Sequence, residues 1–430
     1  MPLTCLRRPL FEFIVCAALT FANLSLGQTP SVAALTLQTA LSRASERNPH
    51  LVALHYTQVA GEALIEQAGQ RPQPTLGLSA EDLLGTGHYE GLGRSQTTLQ
   101  VSQTLERGGK RDKRITLASH DRDVAAAEFK VQRAAILAAT ALAYAHTLAA
   151  EQRVIVAGES LKQARELLVS LSSRVQSGTA APTETARARI AVIAAQADFA
   201  RSEIAVTSAR AQLTSSWAGT PDELTTLVGE LRIPPTLPDE ASFIAPLGKN
   251  PRIAWQQARI SSHRSALAVA KAQTKSDVTA SGGLRFYQED SAGALVLGVS
   301  MPLPMQNYNQ GNIRAARATL TGAEQSLIAL ETELRAEFSA TWQELKSAHA
   351  TVKTLRQDAL PATQDALTLV QRGYAQGEIP LNDVFDAQRA QTALRRELLD
   401  AERAFANALI RLEALTDSSF PLTTQLLSAQ

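Results

Sequence analysis

The chain has 430 residues but only two cysteines, Cys5 and Cys16, and both lie near its N-terminus. If that end is removed as a leader, no thiol is left, which excludes a disulfide framework and thiolate metal ligation. Aromatic residues make up 5% of the sequence, too few for one thick globular core. Neither sign of charge dominates: Lys and Arg total 42, Asp and Glu 41, for a net charge of +1, so nothing points to nucleic acid as a partner. No GxxxxGK[ST] loop is present, and Gly108-Gly109-Lys110-Arg111 is a basic turn without the spacing that cradles phosphate. The histidines His50, His55, His88, His120, His146, His263 and His349 form no pair at metal-ligand spacing. Methionine is equally scarce beyond Met1, so neither a soft-metal site nor any cofactor is expected. Serine, histidine and acidic residues are scattered without a nucleophile's turn, so no enzyme is expected. Beyond the leader, no stretch reads as apolar enough, for long enough, to cross a bilayer as a helix.

What is present begins with that leader. Arg7 and Arg8 precede an apolar run from Leu10 to Leu26, and Ser25-Leu26-Gly27 supplies small residues for signal-peptidase cleavage after Gly27. Val15 before Cys16 does not favour a lipid anchor there.

The remainder reads as one unit written twice. Asn48-Pro49-His50-Leu51 returns as Asn250-Pro251-Arg252-Ile253, Val101 to Leu105 returns as Val299 to Leu303, and Gly178 returns as Gly377. The expected division is a leader at 1–27, a first repeat at 28–219 and a proline-rich link at 220–246, followed by a second repeat at 247–417 and a tail at 418–430. Each repeat opens with a moderate helix, Leu37 to Ala68 or Phe243 to Ala272, then an extended section, a very long helix, a tip and a returning helix. The long stretches, about 110–176 and 311–372, would reach roughly 90 to 100 Å at ~1.5 Å per residue. Val124, Phe129, Val131, Ile136, Leu137, Leu142, Leu148 and Val154 mark a narrow seam of the coiled-coil kind. Gly158 and Pro361 are expected to interrupt these helices, Pro361 with a bend.

The extended sections alternate. From Gln96 to Leu105 every even residue is polar, while Leu99, Val101 and Leu105 take odd positions. Val278, Ala280, Leu284 and Phe286 oppose Thr279, Ser281, Arg285 and Tyr287; Leu295 to Leu303 and Leu76 to Ala80 give two further stripes. Four strands of about ten residues suit an outer-membrane barrel, although two amphipathic hairpins on a soluble core would alternate as well. Four strands cannot close, and an open edge cannot face lipid, so the barrel reading requires several chains; three would supply twelve strands.

Taken together, the architecture resembles the TolC family of outer-membrane efflux proteins across nearly the whole chain after the leader. TLERGGKRDKR and VSMPLPMQNYNQGNIRAA resemble its CzcC-like, heavy-metal branch. That resemblance implies a mixed fold of helices and membrane strands: a homotrimer with a shared twelve-stranded barrel in outer-membrane lipid, continuous with a periplasmic helical tunnel. Its implied partners are a periplasmic membrane-fusion adaptor and an inner-membrane pump of the RND (resistance, nodulation and division) type. The implied role is a passive conduit for heavy-metal cations. A drug-efflux or type I secretion channel would share the fold, and a soluble periplasmic adaptor or coiled-coil scaffold also uses long hairpins.

The resemblance further implies a ring of aspartates at the periplasmic aperture, matched by Asp383 and Asp386, and an iris latch matched by Tyr374 and Glu184. Where some relatives carry a latching arginine this chain has Ile379. The tip residues Gly178, Pro182, Gly377 and Pro380 are the implied adaptor contacts. From the residues alone, acidic side chains just after Pro380 also suit a helix start, and both glycines also suit plain reversals.

Overall fold

The computed structural model describes residues 34–428 except 225, 304, 306–308, 417 and 418. The leader and both cysteines lie outside the described residues, as do Asn307 and Tyr308 of the second strand-to-helix connection.

The first helical region is two helices, α1 (Leu37–Arg47) and α2 (Pro49–Ala68), where the sequence suggested one. Asn48 and Pro49 cause the break. Pro49 starts α2, and Asn48 Oδ1 caps it by accepting from His50 N at 2.9 Å, while Asn48 Nδ2 donates to Ser216 O at 2.7 Å. The second region divides in the same way. The short helix α5 (Glu240–Ile244) gives way, through a 3₁₀ turn, to α6 (Pro251–Ala272). There Asn250 Oδ1 accepts from Arg252 N at 2.8 Å and its Nδ2 donates to Leu415 O at 2.9 Å. In both halves, the Asn-Pro pair starts a helix and ties it to the far end of the returning one.

Between these regions run β1 (Thr75–Glu81), β2 (Gln96–Leu105), the 67-residue helix α3 (Lys110–Gln176) and its return α4 (Pro182–Ser215). The second half gives β3 (Val278–Tyr287), β4 (Ala292–Ser300), α7 (Gln310–Thr354), α8 (Leu360–Gln376), the return α9 (Leu381–Thr416) and a terminal α10 (Pro421–Leu427). Gly158 does not interrupt α3: its missing side chain admits the Phe199 ring, which would sit 3.3 Å from a Cβ there. Pro361 does leave a mark, because the turn before it, Leu355–Ala359, is widened to π geometry between α7 and α8.

The four strands form one antiparallel sheet in the order β1-β2-β3-β4, so β1 and β4 are free edges among the described residues. β1, at seven residues, is shorter than expected, and β4 stops before Pro302, leaving Met301 and Leu303 beyond the ladder. Register aligns Leu78, Leu99, Leu284 and Leu295 in one row across all four strands. That row is exposed, at 73%, 48%, 66% and 68%, while Thr98 on the opposite face is 3% exposed. The opposite face carries Ser79, Thr98, Arg285 and Ala294 in one row and Gly77, Gln100, Gly283 and Val296 in the next. A water-soluble sheet hides its apolar face; this sheet presents it.

The core sits midway along the helices. Tyr144, fully buried on α3, donates to Leu35 O at 2.9 Å and lies 2.5 Å from Val228 O, where Leu35 and Leu227 form a parallel bridge. Leu224, Leu227, Leu231 and Phe243 from the link are buried, so that segment packs as core. A second cluster gathers Phe243, Phe338, Trp342 and Phe405 against Leu409 and Leu412. One part of the sequence reading needs correction here: α3 does contain a window long and apolar enough to cross a membrane, with mean hydropathy 1.3. Its alanines raise the average, and 56% of the window is buried within the chain, as in a core helix.

Candidate gating site at the hairpin tips

Both hairpins reverse on a glycine with positive φ, Gly178 at 72° and Gly377 at 82°, a conformation that side chains disfavour. Thr179 N donates to Arg174 O at 2.9 Å, and Glu378 N to Gly373 O at 2.9 Å, satisfying the last carbonyls of α3 and α8. Pro182 then occupies the first turn of α4, while Pro380 immediately precedes α9 and accepts from Asp383 N at 3.1 Å. Ile379 folds back onto Gly373, where an added Cβ would stand 2.5 Å from its Cδ1. Ile379 is therefore an apolar plug at this tip.

Tyr374 and Glu184, 190 residues apart, meet across the two hairpins: the Tyr374 hydroxyl donates to Glu184 Oε2 at 2.8 Å. Burial, and next the Glu184 hydrogen bond, push the phenol above its ordinary value, so it remains a donor at neutral pH. Arg174 lies over the Tyr374 ring at 4.8 Å, and Arg187 Nη1 donates to Asn382 Oδ1 at 2.5 Å. Leu171, Ala188, Leu381 and Val384 pack beneath these contacts. The cationic contribution comes from the first hairpin, through Arg174 and Arg187.

Asp383 and Asp386 both sit exposed on the first turns of α9. They are not equivalent. Asp386 is ion-paired to Arg389 one turn on, whereas the Asp383 carboxylate has no hydrogen-bond or ion-pair partner among the described residues. Spacing places both on one helix face, but Asp383 carries the uncompensated charge. Above them, a groove of about 860 Å³ between the hairpins is lined by Arg187, Arg201, Arg389 and Arg396 along with Asp198 and Asp386.

The sequence reading missed a second tier of contacts between the hairpins. Glu159 binds Arg395 at 2.6 Å, Asp198 binds Arg396 as well as Arg201 within its own helix at 3.3 Å, and Arg153 reaches Asp400 at 3.8 Å. Most of these partners are more than 190 residues apart and lie on unremarkable charged helix faces, so no local signal could pair them. Among the described residues no group of three or more His, Cys, Asp or Glu side chains could hold a metal ion.

Comparison with known proteins bears on the family and the fold. The sequence profile of the family described as Outer membrane efflux protein matches residues 40–219 and 246–417. The chain is 28% identical to the cobalt-zinc-cadmium resistance protein CzcC of Cupriavidus metallidurans, over 83% of each chain. It is 29% identical to the nickel and cobalt resistance protein CnrC of the same organism, over 69% of this chain and 73% of that one. Among solved structures, the outer membrane protein VceC of Vibrio cholerae superposes with a TM-score of 0.71 at 20% identity, over 88% of this chain and 96% of the other.

Proposed function

We propose, from the premise that this chain belongs to the outer membrane efflux protein family, that three copies form a closed conduit for heavy-metal cations. The chain is an outer-membrane transport channel with a large periplasmic helical part. The observation that carries the finer reading is the inverted sheet. Its leucine row is exposed, its polar face holds the buried Thr98, and β1 and β4 are unpaired among the described residues. Joining β1 of one copy to β4 of the next satisfies both edges, and three copies of four strands make a twelve-stranded barrel. The long hairpins then continue the barrel as a tunnel across the periplasm, each chain contributing two copies of one structural unit. The tips, Gly178-Pro182 and Gly377-Pro380, face an adaptor that recruits an RND pump, and the pump supplies the energy. The metal cargo is supported by the cobalt, zinc, cadmium and nickel resistance named for the relatives.

In this reading the Tyr374–Glu184 hydrogen bond, braced by Arg174 and Arg187, holds the two hairpins of each chain together and the aperture narrow. Asp383, threefold repeated, forms the carboxylate ring, and Asp386 contributes less because Arg389 offsets it. Planar-bilayer recordings should show Asp383→Ala shifting the cation preference toward unity and Asp386→Ala shifting it much less. Equal effects, or none, reject the ring as drawn.

The cargo is tested in a deletion strain carrying the restored gene or an empty vector, challenged with cobalt, zinc and cadmium salts in parallel with dyes and antibiotics. Loss of metal tolerance alone is expected. Sensitivity confined to dyes and antibiotics excludes the metal reading.

A further inference from the structure

The geometry points to an anionic-phospholipid headgroup site at the base of the sheet, built by Arg71, Arg107 and Arg111 in the periplasmic leaflet of the outer membrane. The inference rests on the membrane reading of the sheet and specifies what surrounds its lower rim.

Leu99, Val101, Gln103 and Leu105 occupy the outward-facing positions of β2, and Arg107 is the next position in that series. On β4 the outward series Leu295, Leu297 and Val299 is followed by Met301. Arg107 Nη1 lies 3.3 Å from Met301 Sδ, so the guanidinium sits just past the end of the β2 stripe and where the β4 ladder stops, with exposed Leu303 beyond it. A cation that terminates a lipid-facing stripe rests its stem on apolar surface and places its charge at the headgroup level.

At the same end of the sheet, an open cleft of about 690 Å³ lies where the end of α2, the segment leading into β1, Gln103 of β2 and the start of α3 converge. Ile65, Ile115, Pro72 and Pro74 form its apolar walls, and its charged lining is Arg71 and Arg111 with one acid, Glu66, which leaves a surplus of one positive charge. Gln103 Nε2 donates to Pro72 O at 2.7 Å and Arg111 Nε to Gly69 O at 2.5 Å, which fixes the walls in place. The terminal nitrogens of Arg111 make no hydrogen bond to a described residue. A phosphodiester with the first carbons of its acyl chains matches this pairing of two guanidinium groups with a greasy wall.

Local charge favours the same ligand. Glu106 and Asp277, acids at this level, are already bound to Arg114 and Lys110. The side chains of Arg71, Arg107, Arg111, Lys113 and Lys275 have no carboxylate partner among the described residues, although the Arg107 amide donates to Asp277 Oδ1 at 3.0 Å; Glu66 and Asp112 are the unpaired acids there. In a chain whose net charge is +1, this rim holds a local positive surplus. Continuity with the lipid-facing band selects phospholipid over a soluble anion as the occupant.

The test uses the full processed chain, extracted from outer membranes in detergent, stripped of lipid, and titrated with phosphatidylglycerol, phosphatidylethanolamine or sodium phosphate. Native mass spectrometry reads retained lipid, and a thermal shift reads stabilisation. Phosphatidylglycerol should be retained preferentially, raise the melting temperature, and be displaced by high salt. The triple variant Arg71→Ala, Arg107→Ala, Arg111→Ala should lose about a hundredfold in that preference, from roughly 1 kcal/mol per basic residue at an anionic surface. The corresponding triple lysine variant should keep most of it, and Arg335→Ala on the exposed face of α7 should keep all of it. Equal retention of the two lipids, an unchanged alanine variant, or equal stabilisation by sodium phosphate overturns the headgroup site. A heat-stable oligomer that requires detergent yet shows no lipid preference removes this site alone. A processed chain soluble without detergent removes the membrane reading beneath it.

Discussion

Leu297→Arg is expected to eliminate the oligomer from outer membranes, leaving the chain as degraded or aggregated material in the periplasm. Leu297 is 75% exposed in the isolated chain and lies near the middle of β4, paired with Gly282. An arginine facing lipid at mid-membrane costs about 2–4 kcal/mol. In the proposed trimer that becomes about 6–12 kcal/mol, comparable to the whole stability margin of a folded domain. Ser79→Arg, on the opposite face of β1 and paired with Thr98, is the matched control: in the proposed barrel this arginine would enter the water-filled lumen, and assembly should persist. Membrane fractionation followed by electrophoresis of unheated and heated samples distinguishes the two. Normal assembly of Leu297→Arg means that this face meets no hydrocarbon, and the barrel is then wrong.

That experiment tests what was most legible in the sequence. Strand alternation has a period of two and survives any tertiary context, so Gln96 to Leu105 declares its two faces without help from neighbours. What alternation could not settle is which face points outward, since soluble hairpins alternate too. The exposed leucine row supports the lipid-facing reading, because nothing among the described residues covers Leu78, Leu284 or Leu295. The tip turns were legible for a similar reason: a glycine with positive φ followed by a proline is a local signal.

Features set by neighbours were misread or not seen. Gly158 looks like a breaker in isolation, yet the approach of Phe199 from α4 makes glycine the residue that fits inside a continuous helix. Asn48-Pro49 was seen as a repeat marker, whereas its cap is also a tertiary tie to Ser216. The seam of large residues was only part of the α3 core. Ala141, Ala145 and Thr147 are buried beside Tyr144, because closely packed helices favour small side chains that a search for large apolar residues passes over. At the site, family likeness brought Tyr374 and Glu184 to attention and the fold joins them. The Arg389 partner that distinguishes Asp386 from Asp383 was within one turn and could have been read from i,i+3 spacing.

The terminal helix was not legible at all, and it leads to the second large effect: Glu413→Ala is expected to release α10 from the core. Glu413 is 2% exposed and accepts from Leu422 N at 2.7 Å, from Thr423 N at 3.0 Å and from the Thr423 hydroxyl. It thus satisfies the free amides at the start of α10 from outside that helix. Removing the carboxylate strands buried donors at about 1–3 kcal/mol each. On the other side of α10, Gly229 has φ 134°, and an added Cβ would lie 1.9 Å from Leu427 O, so Gly229→Ala should dislodge the same helix by collision. Both variants should uncover Phe420 and Leu427, which are buried in the cluster that contains Tyr144 and Leu227. Glu413→Gln keeps one acceptor and should fall between wild type and alanine. Hydrogen exchange across 419–428 checks this directly: fast exchange is expected in Glu413→Ala and Gly229→Ala, and protection equal to wild type would show that α10 is held by packing alone. Because α10 bridges the link and α9, its loss should lower the amount of assembled channel while leaving the ion preference of surviving channels unchanged, the reverse of the pattern expected for Asp383→Ala.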